Sequence, residues 1–291
     1  MATATAHPTP PMPASRWPYL LAYLAAVIVA EVLITIPGGS TGQSIGLSIH
    51  ILLVFTLMFL SVLIQPKDAT LPPLLVAASL ASLVRVFSLA VPRYNFLGLP
   101  GPSAETNPLN TVPWLALVSV PLLVSIGTVA YVQQLRPRDL GLLFERWVDF
   151  PVQAGVAMTG IPLGLLEFAI LQIPPSQYWT HEMTLGSLVF GGLAIFFATG
   201  LSEELIFRAI LLKRAVQGLG ERAGLLYVTA IFASLHIFFL NGIDLVFVFG
   251  VGLFYGFVVL KTKNLWGVIL SHSLGNVILY LVAPFIFAPI H

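Results

Sequence analysis

Apolar runs recur along this chain, each close to the roughly 20 residues that a helix needs to cross about 30 Å of hydrocarbon. About nine can be read by that length criterion. They lie near 17–37, 44–64, 71–91, 111–132, 152–173, 184–213, 223–240, 243–260 and 264–288. Inside a bilayer the backbone must satisfy its own hydrogen bonds, and a run of this length does so as a helix. The expected fold class is therefore all-α, a polytopic transmembrane helical bundle of about eight to nine transmembrane helices. In the eight-span version one run is re-entrant. Composition agrees: 57% of the residues are hydrophobic and 9% are charged, against about 25% charged in a soluble domain. A net charge of +1 points to no nucleic-acid partner. The absence of cysteine excludes a disulfide framework, a thiolate nucleophile and a Cys-ligated metal.

Residues 1–16 read as a disordered Pro/Ala/Thr-rich tail, and 17–134 as the N-terminal transmembrane helices. The segment 135–150, within "QLRPRDLGLLFERWVDFP", mixes Arg, Asp and Glu with Leu, Phe and Trp, the composition of an amphipathic interfacial segment. Residues 151–291 read as the C-terminal transmembrane core. Basic residues test the topology, because cytoplasmic loops carry the excess. With the N-terminus inside and nine crossings, Arg16, Lys67, Arg136, Arg138, Arg146, Lys213, Arg214, Arg222, Lys261 and Lys263 fall on one side. Arg93 alone falls on the other. The 213–222 loop is then cytoplasmic, and the chain size suits a prokaryotic inner membrane.

Ionisable residues inside spans are costly and mark function by default. Glu31, His50, Arg85 and Glu167 each stand alone in a run and read as internal hydrogen bonds, ion pairs or snorkelling ends. The C-terminal half carries three spaced sets instead. In Glu203-Glu204-x-x-x-Arg208, the second acid and the base are one helical turn apart in the favourable order. Glu203 is turned about 100° away, free to face something else. Phe232-x-x-x-His236 and His272-x-x-x-Asn276 each stack two side chains on one face, with Gly275 permitting close approach of another helix. Lipid offers such groups no partners, so one shared polar cavity is the economical arrangement.

A carboxylate and an imidazole facing one water can deprotonate it for attack on a carbonyl. Hydrogen-bond donors aimed at the resulting oxyanion complete an amide hydrolysis that needs no Ser or Cys. Glu203 and His236 suit water activation, His272 and Asn276 suit oxyanion donation, and the Glu204–Arg208 pair fixes the helix and the local field. In this order the three sets resemble, without substitution, the motifs of the CPBP family. This is the CAAX-protease and bacteriocin-processing group of intramembrane proteases, which includes the Rce1-type prenyl-protein endopeptidases. The resemblance covers about 150–290. It implies a helical membrane endopeptidase of glutamic type acting on a peptide or protein substrate, lipidated or not, amid membrane lipid. No cofactor is expected. Two His and a Glu are a zinc-type donor set, but H-E-x-x-H is absent from the sequence. Span depth favours a site in the cytoplasmic half of the bilayer, with His236 fitting least well. The competing readings are a non-proteolytic scaffold or immunity protein of the same fold, and a proton-coupled transporter. The transporter reading needs interrupted helices in matching positions of both halves, and the sequence shows no such pair.

Overall fold

A computed structural model describes residues 16–35, 40–94, 111–144, 149–173 and 183–287. Among them are nine helices long and apolar enough to cross a membrane. They are α1 (Trp17–Thr35), α2 (Ser40–Ile64), α3 (Leu71–Val91), α4 (Val112–Val132), α5 (Asp149–Leu171), α6 (Leu185–Leu219), α7 (Glu221–Phe239), α8 (Gly242–Thr262) and α9 (Trp266–Phe287). All nine expected runs are helices, and no strand occurs among the described residues. Large apolar side chains face outward, as Leu52, Phe55, Phe59 and Val62 do on α2. A water-soluble protein does not present such a surface, and the chain is an integral membrane protein. The expected tail lies outside the described residues, apart from Arg16.

The helices pack as neighbours in chain order through α1, α2, α3 and α4. Helices α3 and α4 then lie against α6. One apolar core runs from Leu20 and Val27 on α1 through Leu74 and Leu80 on α3 to Ile206 and Ile210 on α6 and Val268 on α9. Arg16 pairs with Asp68 and so joins the start of α1 to the turn before α3. Residues 135–144 run as turns rather than helix, and residues 145–148 of the expected amphipathic segment lie outside the described ones. The turns form a seat for the start of α9: Leu265 N donates to Gly141 O at 2.9 Å and Trp266 Nε1 to Leu142 O at 2.9 Å. Lys213 Nζ clasps the same segment from α6, 2.9 Å from Asp139 Oδ1. That hydrogen bond, with a second from the Arg136 backbone N–H, holds the Asp139 carboxyl below its ordinary range.

Helix α9, which carries His272 and Asn276, is gripped by small residues. Helix α5 is interrupted at Thr159, whose hydroxyl meets Ser271 Oγ at 2.9 Å. A Cβ at Gly160 would fall on the Ser271 carbonyl, and one at Gly164 on the Gly275 backbone. This is the small-xxx-small spacing by which helices approach closely in lipid, where packing rather than water exclusion drives association. Gly275, as expected, lies at the close approach, but a Cβ there would meet its nearest neighbour at 3.4 Å, an ordinary contact. The tight partners are Gly160 and Gly164. Gly164→Ala is therefore expected to cost about 1–3 kcal/mol by overpacking against backbone that cannot yield. Gly275→Ala should cost less than about 1 kcal/mol. Comparing unfolding midpoints of the detergent-solubilised variants checks this order.

Candidate active site

Two wide turns shape the middle of α6. Residues Phe196–Leu201 and Leu205–Leu211 are π-helical, and Ser202–Glu204 is the short α-helical piece between them. Such bulges add a residue to a turn and cluster at functional sites. The Ser202 hydroxyl bonds the Phe197 carbonyl five residues back, a π-type separation. Gly200 gives the bulge room, since a Cβ there would strike Ser273 Oγ on α9. The two acids leave this piece in different directions. Glu204 is wholly buried, whereas Glu203 lines a cavity of about 330 Å³.

Arg208 Nη1 donates to Glu204 Oε1 at 2.9 Å, so the expected pair forms. Arg208 also stacks on aromatic rings, with its guanidinium carbon 4.1 Å from the centroid of Phe232 and 5.5 Å from that of Tyr255. Phe232, the first residue of its motif, is thus the platform for the arginine of another. Sequence reasoning missed the next link. His272 Nδ1 lies 2.7 Å from the same Glu204 Oε1. Only the ring nitrogen can donate to a carboxylate, so Nδ1 carries hydrogen and Nε2 is directed away from Glu204. His272 Nε2 lies 3.9 Å from Glu203 Oε2. Glu204 is therefore tied to His272 as well as to its own helix.

His236 stands where α7 stops being α-helical, with φ −93° and ψ 0°, the bridge region in which many active-site residues sit. Its Nδ1 is 3.0 Å from the Phe232 carbonyl. A carbonyl only accepts, so Nδ1 is again the protonated nitrogen and Nε2 is the free base of the neutral ring. Asn276 donates through Nδ2 to Thr199 Oγ1 at 3.0 Å, which leaves its second amide hydrogen. The corner between α6 and α7 gives a common origin for counting along the two helices. From it Glu203 and His236 lie at similar distances, about 24 and 22 Å at 1.5 Å per residue. Helix α9 starts on the 135–144 seat, which sets His272 at its shorter distance from the helix start.

The cavity wall brings together Glu203, His236, His272 and Asn276. Glu204 and Arg208 lie behind it. The wall also includes residues that sequence reasoning assigned elsewhere or passed over: Arg85, Glu167, Thr199, Tyr255 and Tyr280. Arg85 and Glu167 carried the intramembrane-charge signal, but each stood alone in its run and gave no spacing to read. Among the described residues no three His, Cys, Asp or Glu side chains converge as metal ligands. The Nδ1 atoms of both histidines are held by protein acceptors, which leaves Nε2 as the available nitrogen of each ring.

Residues 185–278 match the family model of the type II CAAX prenyl endopeptidase Rce1-like proteins. The matched segment contains every motif residue named above, in agreement with the resemblance read from the three sets. No curated protein and no solved structure matches the chain.

The Glu204–Arg208 contact yields a prediction. Arg208→Met leaves a buried carboxylate short of its counter-charge and should destabilise the protein by about 3–5 kcal/mol. Glu204→Gln combined with Arg208→Met should recover most of that loss. Thermal unfolding of wild type, both single variants and the double variant gives the coupling energy directly.

Proposed function

We propose that this protein is an intramembrane endopeptidase of glutamic type, in which Glu203 and His236 activate a water for attack on a peptide carbonyl. The observation that carries the reading is the convergence of Glu203, His236, His272 and Asn276, from three helices, on one cavity of about 330 Å³. The match of residues 185–278 to an endopeptidase family supports it.

The carboxylate of Glu203 takes a proton from a water that also donates to His236 Nε2. The hydroxide oxygen bonds to the carbonyl carbon, and the carbonyl oxygen becomes an oxyanion. Asn276 donates to that oxygen from its free amide hydrogen. His272 donates from Nε2–H, which requires the imidazolium form because Nδ1–H is held by Glu204. Collapse of the intermediate breaks the C–N bond, and Glu203 returns its proton to the leaving amine. Fixed donors in a site shielded from bulk water stabilise developing charge more strongly than water does. No step uses a metal.

The cavity is at the small end of ligand pockets, so a short extended segment enters and the rest of the substrate lies outside. A membrane-associated peptide, lipidated or not, is the substrate class that suits this placement. The basic corner at Lys213, Arg214 and Arg222 is assigned to the cytoplasmic side by its charge, with the N-terminus on the same side. A prokaryotic inner membrane is the proposed location.

The test is cleavage of farnesylated and unmodified fluorogenic peptides by purified, detergent-solubilised protein. Wild type is expected to cleave, and Glu203→Gln to lose a factor of about 10²–10⁴. A chelator should leave the wild-type rate unchanged. Cleavage that survives Glu203→Gln overturns the mechanism. A wild type inert toward peptides that a working family member processes favours a non-proteolytic scaffold.

A further inference from the structure

The first three helices contribute a polar cluster of their own. Glu31 on α1 and His50 on α2 are fully buried, and the side chain of Arg85 on α3 is 13% exposed. Arg85 Nε donates to Glu31 Oε1 at 2.8 Å. His50 Nε2 lies 3.1 Å from that oxygen but is not aligned as a hydrogen bond, and Glu31 Oε2 has no hydrogen-bond partner among the described residues. Taken alone this is an interhelical tie of the kind that single intramembrane charges usually make.

The other end of the arginine argues for more. Arg85 Nη2 donates to the Leu235 carbonyl at 2.7 Å. Its guanidinium carbon lies 5.4 Å from the centroid of the Phe238 ring. Leu235 and Phe238 bracket His236. The Leu235 carbonyl belongs to the last turn of a helix, where carbonyls lack intrahelical donors and a cation is favoured. The backbone there leaves α geometry at His236 and enters a 3₁₀ turn over Ile237–Phe239. Helix α1, which carries Glu31, packs directly against that turn. The ring of His236 is fixed from within by Phe232 O, and its backbone is fixed from outside by Arg85.

We propose that Arg85 is a positioning residue for His236, held at the required reach by Glu31. The N-terminal helices, which lie outside the matched family segment, are on this view a working part of the site. The importance of His236 rests on the proposed protease reading, but its positioning by Arg85 does not.

The experiment is imidazole NMR of the full, detergent-solubilised chain labelled with ¹⁵N-histidine, with the His236 signals assigned from His236→Gln. In Arg85→Ala the His236 ring signals should shift or broaden while those of His272 stay in place. Glu31→Gln combined with Arg85→Met removes both charges together and should move His236 in the same way, which covers the case in which Arg85→Ala fails to fold. Tyr23→Phe is the control for general loosening. It deletes a different α1–α3 contact, the 2.7 Å hydrogen bond from Tyr23 to the Ala78 carbonyl, and should leave His236 unmoved. Unchanged His236 signals in a folded Arg85 variant overturn the proposal. So does a Tyr23→Phe spectrum in which His236 moves equally. In the cleavage assay Arg85→Ala should lower kcat by about 10–100-fold with KM nearly constant, the cost of a misplaced group. An inert wild type counts against the protease reading alone, because the spectra still decide the role of Arg85.

Discussion

Glu204 carries its carboxylate into a fully buried place, and much of the site hangs on how that charge is satisfied. One of its oxygens takes Arg208 and His272 together. Arg208 in turn lies over Phe232, so four residues from the three motifs become one knot. An ion pair buried this deeply is not a strong source of stability, because desolvation offsets the attraction. What it supplies is a unique geometry. With Nδ1 of His272 committed to Glu204, Nε2 has one direction left, and that direction leads toward Glu203. The acid that contacts no substrate in the proposed mechanism decides how the other one is used.

The apolar runs made the helices legible, since length and hydropathy are local properties. Their ends agree with the sequence reading to within a few residues at most boundaries, though α6 continues to Leu219, past the expected end at 213. The Glu204–Arg208 pair was legible for the same reason, being one turn of one helix. The Glu204–His272 contact was not, because it joins α6 to α9 and no spacing encodes it. Arg85 illustrates the gap most clearly. Its charge was visible, and an internal ion pair was the right reading of one half of its guanidinium. The other half reaches Leu235, 150 residues away in sequence. The π-turns were equally invisible, since periodicity assumes an unbroken α-helix.

Conformational control in this molecule is exercised largely by what is missing from side chains. Helix α9 has glycines on opposite sides, Gly160 and Gly164 from α5 and Gly200 from α6. Each lets backbone or a small hydroxyl come where a methyl group would stand. Close approach brings van der Waals contact and interhelical hydrogen bonds such as that between Thr159 and Ser271, and these replace the hydrophobic drive that lipid does not provide. His272 and Asn276 are therefore carried on a helix with little freedom to slide or rotate.

The two wide turns of α6 also bear on how such a chain can change over generations. A π-turn is a helix that has absorbed one residue without breaking. Deleting a residue from 196–201 or 205–211 would turn that stretch back into regular helix, and inserting one would widen it again. The apolar face of 185–195 and the basic face near Lys213 can thus keep their phase relative to the acids between them when a residue is gained or lost. The bulges act as slack on both sides of Glu203. They allow the lipid-facing and loop-facing ends of this long helix to drift through small insertions and deletions while the carboxylate keeps its bearing.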